Sequence, residues 1–100
     1  MTDPSLAMVV EFRAVPGKAD ELRAELLGLV GPTRAEDGCL RYDLHVSREE
    51  PDVFAFYEVW ATPEAHAAHD LTPHIARIRD VLPTLVVEPA RVLRLSVLEP

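Results

Sequence analysis

Cysteine is all but missing from this sequence. Cys39 stands alone, which excludes an intrachain disulfide framework, and one thiol makes neither a zinc site nor a CxxC redox pair. Basic residues are scarce as well. Ten Lys and Arg face 17 Asp and Glu, for a formal net charge of −7. Those ten are scattered, so a nucleic-acid partner, whose phosphates are held by clustered cations, is excluded. No apolar run comes near the roughly 18 residues of a membrane span, and no basic-then-apolar leader opens the sequence. Neither membrane insertion nor secretion is expected, and a lone thiol fits a cytoplasmic location. Repeats, linkers and low-complexity segments are missing too. The expectation is a single domain over 6–100 behind a loose, disordered terminus at 1–5.

What is present is strongly patterned. Hydrophobic residues make up 48% of the chain and charged ones 27%, the balance of an ordinary globular domain. The stretch from Gly38 to Trp60 organises the rest. Leu40, Tyr42, Leu44 and Val46 alternate with Arg41, Asp43, His45 and Ser47, the period-2 signature of a strand with one apolar face. Val53 to Trp60 is apolar on both faces, with Phe54, Phe56 and Trp60 on one and Ala55, Tyr57 and Val59 on the other, as a central strand covered on both sides would be. Strict alternation also puts Glu58 beside Trp60, which implies either a carboxylate in a pocket or a bulge in that strand. Pro51 and Asp52 favour a turn between the two runs, so they form an antiparallel hairpin.

Ahead of the hairpin, Leu6 to Val15 reads as a strand closed by Pro16-Gly17. Ala19, Leu22, Leu26, Leu29 and Val30 then recur at helical steps, with Asp20, Glu21 and Glu25 near the start, where the helix dipole favours negative charge. Gly31-Pro32 interrupts this helix, and Thr33 to Asp37 can supply one more turn. Behind the hairpin, Thr62-Pro63 and Thr72-Pro73 each place an N-cap hydroxyl before a helix-opening proline. A short helix over 64–70 and a second over 74–82 follow, and Val92 to Leu98 makes a last strand. This order is that of a ferredoxin-like split βαβ fold of the α+β class, with the helices on one face of a four-stranded antiparallel sheet. Its other face is too apolar for water. A twofold homodimer is the expected cover.

The residues Gly38-Cys39-Leu40-Arg41-Tyr42-Asp43-Leu44-His45, then Phe54-Ala55-Phe56-Tyr57-Glu58-Val59-Trp60, then a short helix through His69 and the step Thr72-Pro73-His74, resemble the antibiotic biosynthesis monooxygenase (ABM) domain over nearly the full chain. The resemblance implies a dimeric α+β barrel with a pocket between sheet and helices in each subunit. It also implies cofactor-independent oxidation of a quinol or polycyclic phenol by molecular oxygen, or, in a separate branch, haem degradation. Trp60 matches the tryptophan that ends the third strand in the polyketide-oxidising members. Phe56 and His66 stand where those enzymes place an asparagine and a tyrosine, and Arg79 matches their arginine after a one-residue gap. The haem-degrading branch needs an asparagine, a tryptophan and a histidine where this chain has Val10, His69 and Arg79, so that chemistry is not expected.

Oxidising a phenol without flavin or metal begins by removing a proton, which leaves an electron-rich anion able to reduce oxygen. Histidine is the side chain poised for this near neutral pH. His66 and His69 lie three apart on the short helix and share a face, while His74 opens the next helix. We therefore expect His69 as the base and Trp60 as its catalytic neighbour. Phe54, Phe56, His66, His74 and Arg79 are the expected substrate-binding residues. The partners are a small aromatic substrate and oxygen, with no cofactor and no metal. A metal site built on His66 and His69 with His74 or His45 is the alternative use of the same side chains. A bland reading sets against both of these: helix histidines bonded to backbone or to carboxylates such as Asp70, and Trp60 as core. In that case the barrel binds a hydrophobic small molecule or acts as a stress-related accessory protein without catalysis.

Overall fold

The alternating runs pair in one antiparallel sheet. In the computed structural model, which describes residues 3–98, strands β1 (Leu6–Arg13), β2 (Cys39–Val46), β3 (Val53–Trp60) and β4 (Arg91–Leu95) lie in the order β2-β3-β1-β4. Helices α1 (Ala19–Gly28), α2 (Val30–Arg34), α3 (Pro63–His69) and α4 (Pro73–Val81) fill the two connections, and a short 3-10 turn at 82–84 follows α4. This is the ferredoxin-like α+β arrangement. β3 and β1, the strands apolar on both faces, occupy the centre.

The register sorts the side chains. Cross-strand partners share a face, so Arg94, Met8, Glu58 and Tyr42 form one row toward the helices, and Val92, Val10, Phe56 and Leu44 form the next. Against these rows pack Leu22, Leu26 and Leu29 of the first helical segment and Ile75 and Ile78 of α4, all buried. Each such side chain contributes roughly 1.5–3 kcal/mol by leaving water. On the opposite face, Leu93, Val9 and Tyr57 form a row beside Leu95, Ala7 and Val59, and Leu93 is 57% exposed.

Several boundaries differ from expectation. β1 ends at Arg13, and Ala14 just beyond it forms an isolated bridge with Val86 while its N–H donates to the Asp52 carbonyl at 2.8 Å. β4 spans Arg91–Leu95 rather than running to Leu98. Leu40 does not join the inward apolar face, because a register shift between Cys39 and Arg41 makes it a bulge and leaves it 64% exposed. The strand irregularity thus falls in β2, while β3 pairs with β1 without a break, so Glu58 does point inward. Thr62 caps α3 as expected, its Oγ1 accepting the Ala65 N–H at 3.1 Å. Thr72 does not cap with its side chain. Its hydroxyl donates to the His69 carbonyl at 2.8 Å and ties the two helices together. Residues 1 and 2 of the expected loose terminus lie outside the described residues, and Ser5 N–H donates to the Asp3 carboxylate at 2.8 Å. No helix among the described residues is long and apolar enough to cross a membrane.

Candidate active site

Two Thr-Pro pairs build the site. Thr62-Pro63 starts α3, whose only polar side chains buried against the sheet are His66 and His69; Thr72-Pro73 then starts α4 and sets His74 just past the intervening turn. Facing them is Glu36, in the loop between α2 and β2. That loop is fixed by backbone bonds from Glu36 N–H to the Thr33 carbonyl and from Cys39 N–H to the Glu36 carbonyl. Gly38 turns the chain into β2 with φ of +81°, and its hydrogen leaves room for Ala65 of α3 to come close.

The decisive contact is a shared carboxylate. Glu36 Oε2 accepts from His69 Nδ1 at 2.8 Å and from His74 Nε2 at 2.8 Å. With Nδ1 carrying the proton to Glu36, the lone pair of a neutral His69 lies on Nε2. The His69 ring is 3% exposed and packs 4.7 Å from Trp60 and 5.7 Å from Tyr42, centroid to centroid. It also lines a cavity of about 370 Å³ between the sheet and helices α3 and α4.

The other walls carry opposed charges. Glu58 is buried, accepts the Trp60 indole N–H at 2.9 Å, and has its pKa raised, chiefly because burial penalises the carboxylate. Burial likewise pushes the Tyr42 hydroxyl far up, so this phenol stays protonated where it stacks on Phe56 at 4.3 Å. His66 is held below the usual imidazole value by burial, against the opposing pull of Asp70, whose Oδ1 lies 3.8 Å from its Nε2. Arg79 reaches back from α4 to donate to the Asp70 carbonyl at 3.0 Å. A second hollow of about 380 Å³ beside Pro83 and Pro89 shares Phe12, Arg79, Leu82 and Ala90 with the first.

Of the residues expected at a site, Phe56, His66, His69 and Arg79 line the cavity together. Trp60 and Phe54 do not reach its wall. Both are core residues, at 0% and 3% exposure, and Trp60 acts on the site from behind through Glu58 and His69. His74 sits outside the cavity and joins the site through its hydrogen bond to Glu36, its ring centroid 6.1 Å from that of His69. Glu36, Tyr42 and Arg94 are additions that sequence reasoning did not assign. Tyr42 and Arg94 belong to the Glu58 row of the sheet, but no local pattern marks Glu36.

The sequence profile of the antibiotic biosynthesis monooxygenase family matches residues 5–81. The chain belongs to this family. Among its relatives is the "Putative monooxygenase Rv0793" of Mycobacterium tuberculosis, 34% identical over 99% of this chain and 96% of that protein. A solved structure of the same mycobacterial protein superposes with a TM-score of 0.90 over 96% of this chain and 97% of its own. A Pseudomonas aeruginosa protein of known structure, PA3566, is 33% identical and covers 99% of both chains at a TM-score of 0.92. An uncharacterized Synechocystis protein is 28% identical over 90% of this chain, which spans only 61% of that longer relative. In this ABM chain, Phe56 and His66 are cavity residues at the two positions where it departs from the polyketide-oxidising pattern.

Proposed function

We propose that this ABM protein oxidises a small aromatic quinol or polycyclic phenol with molecular oxygen and without a bound cofactor, using His69 as the base. The observation that carries the reading is the Glu36-bound, solvent-excluded imidazole on the wall of a largely apolar cavity that Tyr42 and Phe56 also line. A substrate hydroxyl gives its proton to His69 Nε2, and Glu36 steadies the imidazolium that results. The phenolate then passes one electron to oxygen, the radical pair recombines at a ring carbon as a peroxide anion, and this takes the proton back from His69 to give the hydroperoxide. Loss of water leaves a carbonyl. Both electrons beyond the inserted oxygen come from the substrate, whose two lost hydrogens leave in the water, so no external reductant enters. Phe56 and Tyr42 stack against the ring, and the dry surroundings keep the anion reactive.

The same reading makes the protein a homodimer. Leu93, Leu95, Tyr57 and Val9 form an apolar sheet face that water covers poorly, and a second copy of that face is its natural complement. The lone thiol of Cys39 supports a reducing, cytoplasmic setting.

Oxygen uptake with a naphthalene-type quinol tests the chemistry. His69→Ala is expected to lower kcat by about 10²–10⁴-fold, with an unchanged circular dichroism spectrum. Unchanged turnover in that variant removes His69 as the base. Ligand binding with no oxygen consumed across a quinol panel replaces catalysis with small-molecule binding.

A further inference from the structure

We infer that Glu36, His69 and His74 also form a binding site for one divalent transition-metal ion of the zinc type, and that an ion there silences His69 as a base. Three chain segments bring the donors together: the α2–β2 loop, the end of α3 and the start of α4. Their ligand atoms all lie within 4.8 Å of one another, the one such trio of His, Cys, Asp or Glu among the described residues. Zinc holds His nitrogen and carboxylate oxygen at about 2.0–2.2 Å, which sets tetrahedral donor atoms roughly 3.3 Å apart. The two contacts of 2.8 Å to Glu36 need to open by only about half an ångström to reach that spacing. Two imidazoles and one carboxylate are also a ligand set that leaves a fourth position for water.

The surroundings suit an ion that enters from solvent and is then held. Side-chain exposure rises from 4% at His69 through 14% at Glu36 to 22% at His74, so His74 marks the way in. The scaffold is preset, since the Thr72 hydroxyl fixes the turn between the two histidines and backbone bonds fix the Glu36 loop. The other histidines are otherwise engaged. His66 faces Asp70, and His45 Nδ1 lies 3.1 Å from the Asp43 carbonyl. The ligand set is therefore not the His66 and His69 pair that helical spacing suggests.

The effect on catalysis follows from imidazole chemistry and rests on the oxygenase reading above. An ion on Nδ1 forces the ring proton to Nε2, the atom that must accept the substrate proton. Metal occupancy and base catalysis then exclude each other.

Chelator-treated protein dialysed against Zn²⁺ and assayed by elemental analysis and calorimetry is expected to take up one ion per chain. Glu36→Gln and His74→Asn should each weaken binding by about 100-fold or more, since even outer-shell changes at metal sites lose 10–100-fold. His45→Ala should leave it unchanged. Co²⁺ substitution should give the intense visible bands of a tetrahedral site in wild type and lose them in both variants, provided their circular dichroism shows a folded chain. Absence of stoichiometric uptake, or uptake indifferent to both variants, overturns the site. Should Zn²⁺ bind as described while no quinol is oxidised, the site stands and the oxygenase reading falls. Should an active enzyme be accelerated rather than stoichiometrically inhibited by Zn²⁺, the silencing half of the inference falls.

Discussion

Glu58 shows how far a single side chain can be read before its surroundings are known. Alternation along β3 places it beside Trp60, and the unbroken pairing with β1 turns it inward, where burial raises its pKa. A carboxyl whose folded pKa is raised gives its stabilisation below the ordinary carboxyl value and loses it as pH rises through the shifted one. Glu58→Gln removes the desolvated charge and keeps an oxygen for the Trp60 indole N–H. Its melting temperature should therefore exceed wild type at pH 7, with the gain shrinking as pH falls to and below 4.5. A gain that stays constant across that range removes the charge-burial account. His69 was legible by residue type and helical spacing, but Glu36 was not. Its partners lie 33 and 38 residues away, and next to Asp37 it reads in sequence like any solvated acidic pair.

At the scale of the element, the two glycines with positive φ make a matched pair. Gly17 has φ of +84° and open space around it, whereas a methyl at Gly38 would meet the Ala65 Cβ at 2.6 Å. Gly17→Ala should cost about 1–2 kcal/mol for the left-handed backbone alone. Gly38→Ala adds overpacking of roughly 1–3 kcal/mol and pushes on the helix that carries His66 and His69. Urea melts that give the two variants equal midpoints would show that α3 yields freely. Element types were legible because hydrophobic periods of 2 and 3.6 are impressed on the chain by burial. The ends were less so. Ala14 bridges Val86, a distant partner that no local pattern indicates, and the bulge at Leu40 depends on a register that only the partner strand defines.

For the whole molecule, the apolar outer face is the feature on which the proposed dimer rests. Leu93→Glu places a charge on that face, on the edge strand β4 opposite Val9, and should convert a dimer to a monomer in light scattering while the circular dichroism spectrum persists. A wild-type protein that is monomeric at all concentrations removes the dimer. Exposed ion pairs such as Arg13 with Glu50, at 3.2 Å, should matter little, on the order of 0–1 kcal/mol. The fold was readable from strand and helix order, and the two-sided apolar pattern of β3 followed from its place in the centre of the sheet. A cavity is harder to foresee, because it is a mismatch between surfaces brought together from distant segments and leaves no periodic trace.

Because the chain has one tryptophan, and that indole lies fully out of water 4.7 Å from the His69 ring, the protein carries an intrinsic optical reporter. Its emission should be blue-shifted at rest. A quinone or paramagnetic ion arriving at the imidazole should quench it, so occupancy can be followed in real time on unlabelled protein.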